Sequence, residues 1–70
     1  MRERLDHLVA EMFDRGIRLE DAVREIEKRF ITRALQASDG NIGDAASHLG
    51  LHRNTLSRKI ADYKLRIARG

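Results

Sequence analysis

Leu5, Leu8, Val9, Met12 and Phe13 recur at spacings of three and four, with Arg4, Asp6, Glu11 and Asp14 between them. That period predicts one amphipathic helix over residues 3 to 15. Gly16 can take the left-handed conformation that closes such a helix, and Gly16 to Arg18 form a short connector. A wider stripe follows. Ala22, Val23, Ile26, Phe30, Ile31, Ala34 and Leu35 predict a second helix from near Leu19 to about Ala37, with an apolar face broad enough to cover more than one partner. Glu20 and Asp21 put negative charge in its first turn, where the macrodipole favours it. Ser38, Asp39 and Gly40 break it.

Beyond the break, Asn41 is a good N-cap, and Asp44 sits three residues later, where a carboxylate can reach back as in a capping box. A short third helix over residues 42 to 49 is expected. Gly50 ends it, and a fourth helix runs from about 53 to Tyr63 or Leu65. The fold class is therefore all-α, four helices in a single domain of residues 1–70, with no repeat and no linker long enough to divide it. Proline is absent and helix formers dominate, which agrees.

The spacing of Ala46, Gly50 and Leu56, with Leu49, Leu51 and Ile60 around it, carries the most information. A helix-turn-helix needs each part: a small residue where the second helix approaches the first, a glycine able to take positive φ in the turn, and apolar side chains to fill the seam. With Leu56 and Ile60 turned inward, Arg53, Asn54, Thr55, Ser57, Arg58 and Lys59 face outward. Arginine can pair bidentately with guanine and asparagine with adenine, while the hydroxyls can contact a base edge or a phosphate, so this is a chemically competent reading surface.

Charge changes the picture further. Residues 1 to 37 hold eight acids and eight bases, whereas residues 38 to 70 hold six bases against three acids. The whole net charge of +3 thus lies in the rear half, which suits that half to a polyanion. Arg53, Arg58, Lys59 and Lys64 lie near the expected groove, with Asn41 and the helix N-termini as neutral phosphate donors.

The stretch Glu27 to Leu65 resembles the Fis (factor for inversion stimulation) family, and the similar C-terminal domains of nitrogen-regulation-type enhancer-binding activators. The resemblance is carried by Asp39-Gly40-Asn41, Ala45-Ala46, Leu49-Gly50-Leu51, Arg53-Asn54-Thr55-Leu56 and Arg58-Lys59-Ile60. It implies a sequence-specific, DNA-binding transcriptional regulator. Two N-terminal dimerisation helices, within residues 1–37, interlock in a homodimer. The helix-turn-helix of residues 41–65 then presents two recognition helices to successive major grooves of double-stranded DNA, which bends. Carried over residue by residue, the family's DNA contacts fall on Asn41, His52, Arg53, Thr55, Ser57 and Arg58. Gly43 and Asp44 stand where Fis has hydroxyl and basic residues, and Ser57 where it has a basic one, so Asp44 is expected to repel phosphate. Arg53-Asn54-Thr55-Leu56 followed by Arg58-Lys59 is closer to the activator type.

Other classes find less support. No apolar run approaches the roughly 18 residues needed to cross a bilayer, and the N-terminus lacks the order of a signal peptide, so a cytoplasmic, nucleoid-associated protein is expected. With no cysteine, and with Gly50 breaking the helix between His48 and His52, no metal site and no cofactor are expected. Ser47, Thr55 and Ser57 near the two histidines are the only nucleophile candidates, in a chain too short to enclose much of a pocket; no enzyme and no small-molecule substrate are expected. The alternative is a helical protein-interaction module with a basic tail.

Overall fold

All four helices stop in the same way. The N–H of the residue just past the end returns to the last turn while one residue swings into the left-handed region. Gly16 does so at φ 75°, Asp39 at 51°, Gly50 at 69° and Lys64 at 54°. The bonds Ile17 N to Met12 O, Gly40 N to Leu35 O, Leu51 N to Ala46 O and Leu65 N to Ile60 O, all 2.9 to 3.1 Å, close the four turns and satisfy carbonyls that the helices leave orphaned. In a computed structural model of the chain, which describes residues 1–65, the resulting elements are α1 (Arg2–Asp14), α2 (Leu19–Ala37), α3 (Ile42–Leu49) and α4 (Arg53–Tyr63). No strand occurs among the described residues. The expected helix limits hold to within a residue or two.

The core lies entirely in the second half. Ile31, Ala34 and Leu35 from the end of α2, Ala45 and Ala46 from α3, and Leu56 and Ile60 from α4 form one buried cluster, flanked by Ile42, Leu49, Leu51, Tyr63 and Leu65. Ala45 and Ala46 are small enough for α3 to press against both neighbours, and Ile31, Leu35 and Leu56 fill the space between. Each of those three side chains contributes about 1.5–3 kcal/mol by leaving water.

The first half has no such core. α1 buries none of its residues. Leu5, Leu8, Val9 and Phe13 stay open to solvent, as do Val23, Ile26 and Phe30 on the facing part of α2. α1 leans over α2 across a cleft of about 520 Å³ lined by Leu5, Leu8, Ile26, Phe30, Ala34 and Leu49, with Arg29 and Arg33 at its rim. The radius of gyration, 13.6 Å, exceeds the value of about 11 Å for a compact chain of this length.

Candidate nucleic-acid interface

The turn between α3 and α4 is short because Gly50 supplies the positive φ, and a β-carbon there would meet no neighbour within 4 Å. Backbone conformation and not space is what asks for glycine at this point. After the turn, Leu51 folds back toward the core and His52 caps α4: its imidazole Nδ1 accepts the Asn54 N–H at 3.1 Å. An accepting Nδ1 leaves the ring proton on Nε2, a donor aimed at solvent beside the positive end of the helix.

From that cap, Leu56 and Ile60 anchor α4 to the core, and the remaining side chains divide by helical geometry. Asn54 and Arg58, four residues apart, share the outward face, with Arg53 and Ser57 on one flank and Thr55 on the other. All five are exposed, and so are His52 and Lys64. Arg53, Arg58 and Lys64 enter no ion pair among the described residues. Donors suited to base edges and phosphates are thus gathered on one uncommitted surface.

Asn41 stands exposed at the N-terminus of α3. Its Oδ1 accepts the Asp44 N–H at 3.0 Å, which is the capping bond the sequence predicts. The reciprocal half of a capping box does not form. The Asn41 N–H goes to the Ser38 carbonyl at 2.9 Å, so the Asp44 carboxylate has no capping bond and stands exposed in the first turn of α3. Its favourable interaction with the helix dipole remains, and so does its negative charge on the surface where polyanion contacts are expected.

Lys59 departs from its expected place. It does not share the outward face but turns back onto α2, where Nζ lies 2.6 Å from Glu27 Oε1. The Tyr63 hydroxyl, one turn further along α4, donates to the same oxygen at 3.1 Å. Lys28 Nζ lies over the Tyr63 ring, 5.7 Å from its centre. The Lys59 and Glu27 side chains are only 33% and 28% exposed. The hydrogen bond from Lys59 holds the Glu27 carboxyl below its ordinary value of 4.5, assisted by Tyr63 and opposed by partial burial. The same bond raises the Lys59 ammonium above 10.5. Both shifts favour the charged forms. Positional reading of α4 missed this group because its members are 32 and 36 residues apart in the chain.

His48 and His52, considered together in the sequence, fall in different elements, the last turn of α3 and the cap of α4. No group of three or more His, Cys, Asp or Glu side chains fit to hold a metal occurs among the described residues. No helix among them is long and apolar enough to cross a membrane.

Residues 22–63 match the family described as "Bacterial regulatory protein, Fis family". The chain belongs to the Fis family. Its curated relatives agree with this. It is 46% identical over 48 residues to the DNA-binding transcriptional regulator NtrC of Azospirillum brasilense, a match that covers 69% of this chain and 10% of that protein. It is equally similar, 46% over 48 residues, to the hydrogenase transcriptional regulatory protein HoxA of Bradyrhizobium diazoefficiens, with the same coverage. The nitrogen fixation protein AnfA of Azotobacter vinelandii is 40% identical over 48 residues, covering 69% of this chain and 9% of that one. The chain thus spans about a tenth of the length of the curated relatives it matches. No solved structure matches it at a comparable level. The Fis match spans α2 to α4 almost entirely and leaves out α1, so the family likeness coincides with the part of the molecule that owns the core.

Proposed function

We propose that this Fis-family chain is a sequence-specific DNA-binding module of a transcriptional regulator, acting as a homodimer whose two α4 helices enter successive major grooves and bend the duplex. The observation that carries the reading is the outward face of α4. Asn54 and Arg58 at its centre, with Arg53, Thr55 and Ser57 beside them, offer donors and acceptors that no other part of the described chain uses. That set matches the hydrogen-bonding patterns of major-groove base edges. His52 and Asn41, at the N-termini of α4 and α3, are placed for phosphate, and Lys64 adds a cation at the far end of α4. A regulator of this kind works in the cytoplasm, on the nucleoid. It needs no cofactor, because the chemistry is recognition and not reaction.

The second copy is supported by the apolar surface of the first half. Leu5, Leu8, Val9 and Phe13 on α1 and Val23, Ile26 and Phe30 on α2 form an apolar expanse that the chain leaves uncovered. An isologous pairing of two such faces would bury it. Binding of duplex DNA of mixed sequence at moderate salt, followed by gel shift, tests the reading. A retarded complex containing two chains is expected. No retardation at any protein concentration that keeps the chain soluble would favour a protein-interaction module instead.

A further inference from the structure

The contact between Glu27, Lys59 and Tyr63 lies outside the surface assigned to DNA, yet it fastens the helix that carries that surface. α4 is anchored by apolar side chains at Leu56 and Ile60, which resist lifting but allow some rotation, because apolar contact has no direction. Lys59 and Tyr63 are four residues apart, so they stand one above the other on the flank of α4 nearest α2, and both converge on a single carboxylate oxygen. Two directional bonds thus tie this flank of α4 to one carboxylate on α2. The pair also consumes a charge. Lys59 is one residue from Arg58 and five from Lys64, and among the described cations of α4 and its C-cap it is the one paired with a carboxylate.

We infer that Glu27 is a positioning residue for DNA recognition: it sets the rotation of α4 through Lys59 and Tyr63, and it withholds the Lys59 charge from the phosphate backbone. This rests on the DNA-binding reading. A free lysine on the recognition helix would add a phosphate contact that is equal on every sequence, raising affinity for random DNA and diluting discrimination. Glu27 thereby trades a non-specific contact for a fixed reading angle.

The test is the dependence of affinity on salt, measured by fluorescence anisotropy on a mixed-sequence duplex, with folding of each variant checked by circular dichroism. Glu27→Gln is expected to bind random duplex more tightly at low salt. Its slope of log affinity against log salt should be steeper by about 0.9 for each copy whose Lys59 reaches a phosphate. Glu27→Gln combined with Lys59→Gln should return to the wild-type slope. Glu20→Gln, the same change of charge on an exposed residue of α2 that enters no ion pair among the described residues, should leave the slope unaltered. Lys59→Gln alone should also keep the wild-type slope, because its charge is not on the DNA, whereas Arg58→Gln should flatten it. The Lys59→Gln result stands even if Glu27→Gln fails to fold. A flattened slope in Lys59→Gln, or an unchanged slope in a folded Glu27→Gln, would overturn the inference while leaving DNA binding intact. A flat slope in the wild type would instead strike the DNA-binding reading.

Discussion

Residues 1–30 and residues 31–65 use much the same helix-forming vocabulary, yet only the second group closes on itself. Ile31 and Leu35 sit one turn apart on α2 and are 2% and 1% exposed, while Phe30, their immediate neighbour on the same helix, is 66% exposed. The charge divides a little further along, balanced over residues 1–37 and basic over residues 38–70. The contrast teaches that apolar content does not by itself make a core. The stripe of α2 has two edges: one meets Ala45, Ala46 and Leu56 of its own chain, and the other meets only a lightly seated α1. The second half holds itself together around its own core, and the first leaves its apolar side chains open to solvent.

The sharpest way to break this comparison is to remove one side chain from each half. Leu35→Ala opens the core of the second half and is expected to cost about 2–5 kcal/mol in thermal or denaturant unfolding. Phe30→Asp touches almost nothing within one chain, so a molecule that works alone should tolerate it. If the front half is the dimer interface, Phe30→Asp yields monomers in sedimentation at micromolar protein, and unfolding follows because dissociation and stability are then linked. A wild type that sediments as a monomer, with a Phe30→Asp variant of unchanged stability, would remove the dimer from the account.

Smaller effects sharpen the second half. His52→Ala removes the cap of α4 and is expected to cost about 1 kcal/mol, with His52→Asn restoring most of it, because asparagine offers an acceptor at a similar place. If both variants unfold alike, the Nδ1 bond is not what starts the helix. Asp39→Gly changes a left-handed residue between α2 and α3 to the one residue type that adopts this backbone freely, and a gain of up to about 1 kcal/mol is expected in denaturant unfolding. A loss there would mean that the Asp39 side chain has a role beyond the turn.

What could be read directly from the chain was whatever depends on near neighbours. The period of three and four located α1 and α2, Asn41 announced the start of α3, and Gly50 between two apolar residues marked the turn that aims α4. Two of the four left-handed closures were hidden, because Asp39 and Lys64 are not residues that ask for that conformation, and only the returning hydrogen bonds reveal it. Asp44 has the spacing of a capping box, but the Ser38 carbonyl competes for the same N–H and takes it. Lys59 looked like one more cation on a basic helix. Its neutralisation by Glu27 depends on how α2 crosses α4, which no local pattern encodes. The outward set on α4 was legible because it follows from which two residues point in.

The central claim, that a basic second half carried in pairs grips a nucleic acid, is tested most directly by the salt dependence of wild-type binding to duplex DNA. With Lys59 committed to Glu27, Arg53, Arg58 and Lys64 remain exposed and unpaired among the described residues, and the proposed dimer would bring these three cations twice to the backbone. Counterion release then predicts a slope of log affinity against log salt of roughly −5. A slope near zero, with binding equally strong in dilute and concentrated salt or absent in both, would contradict it.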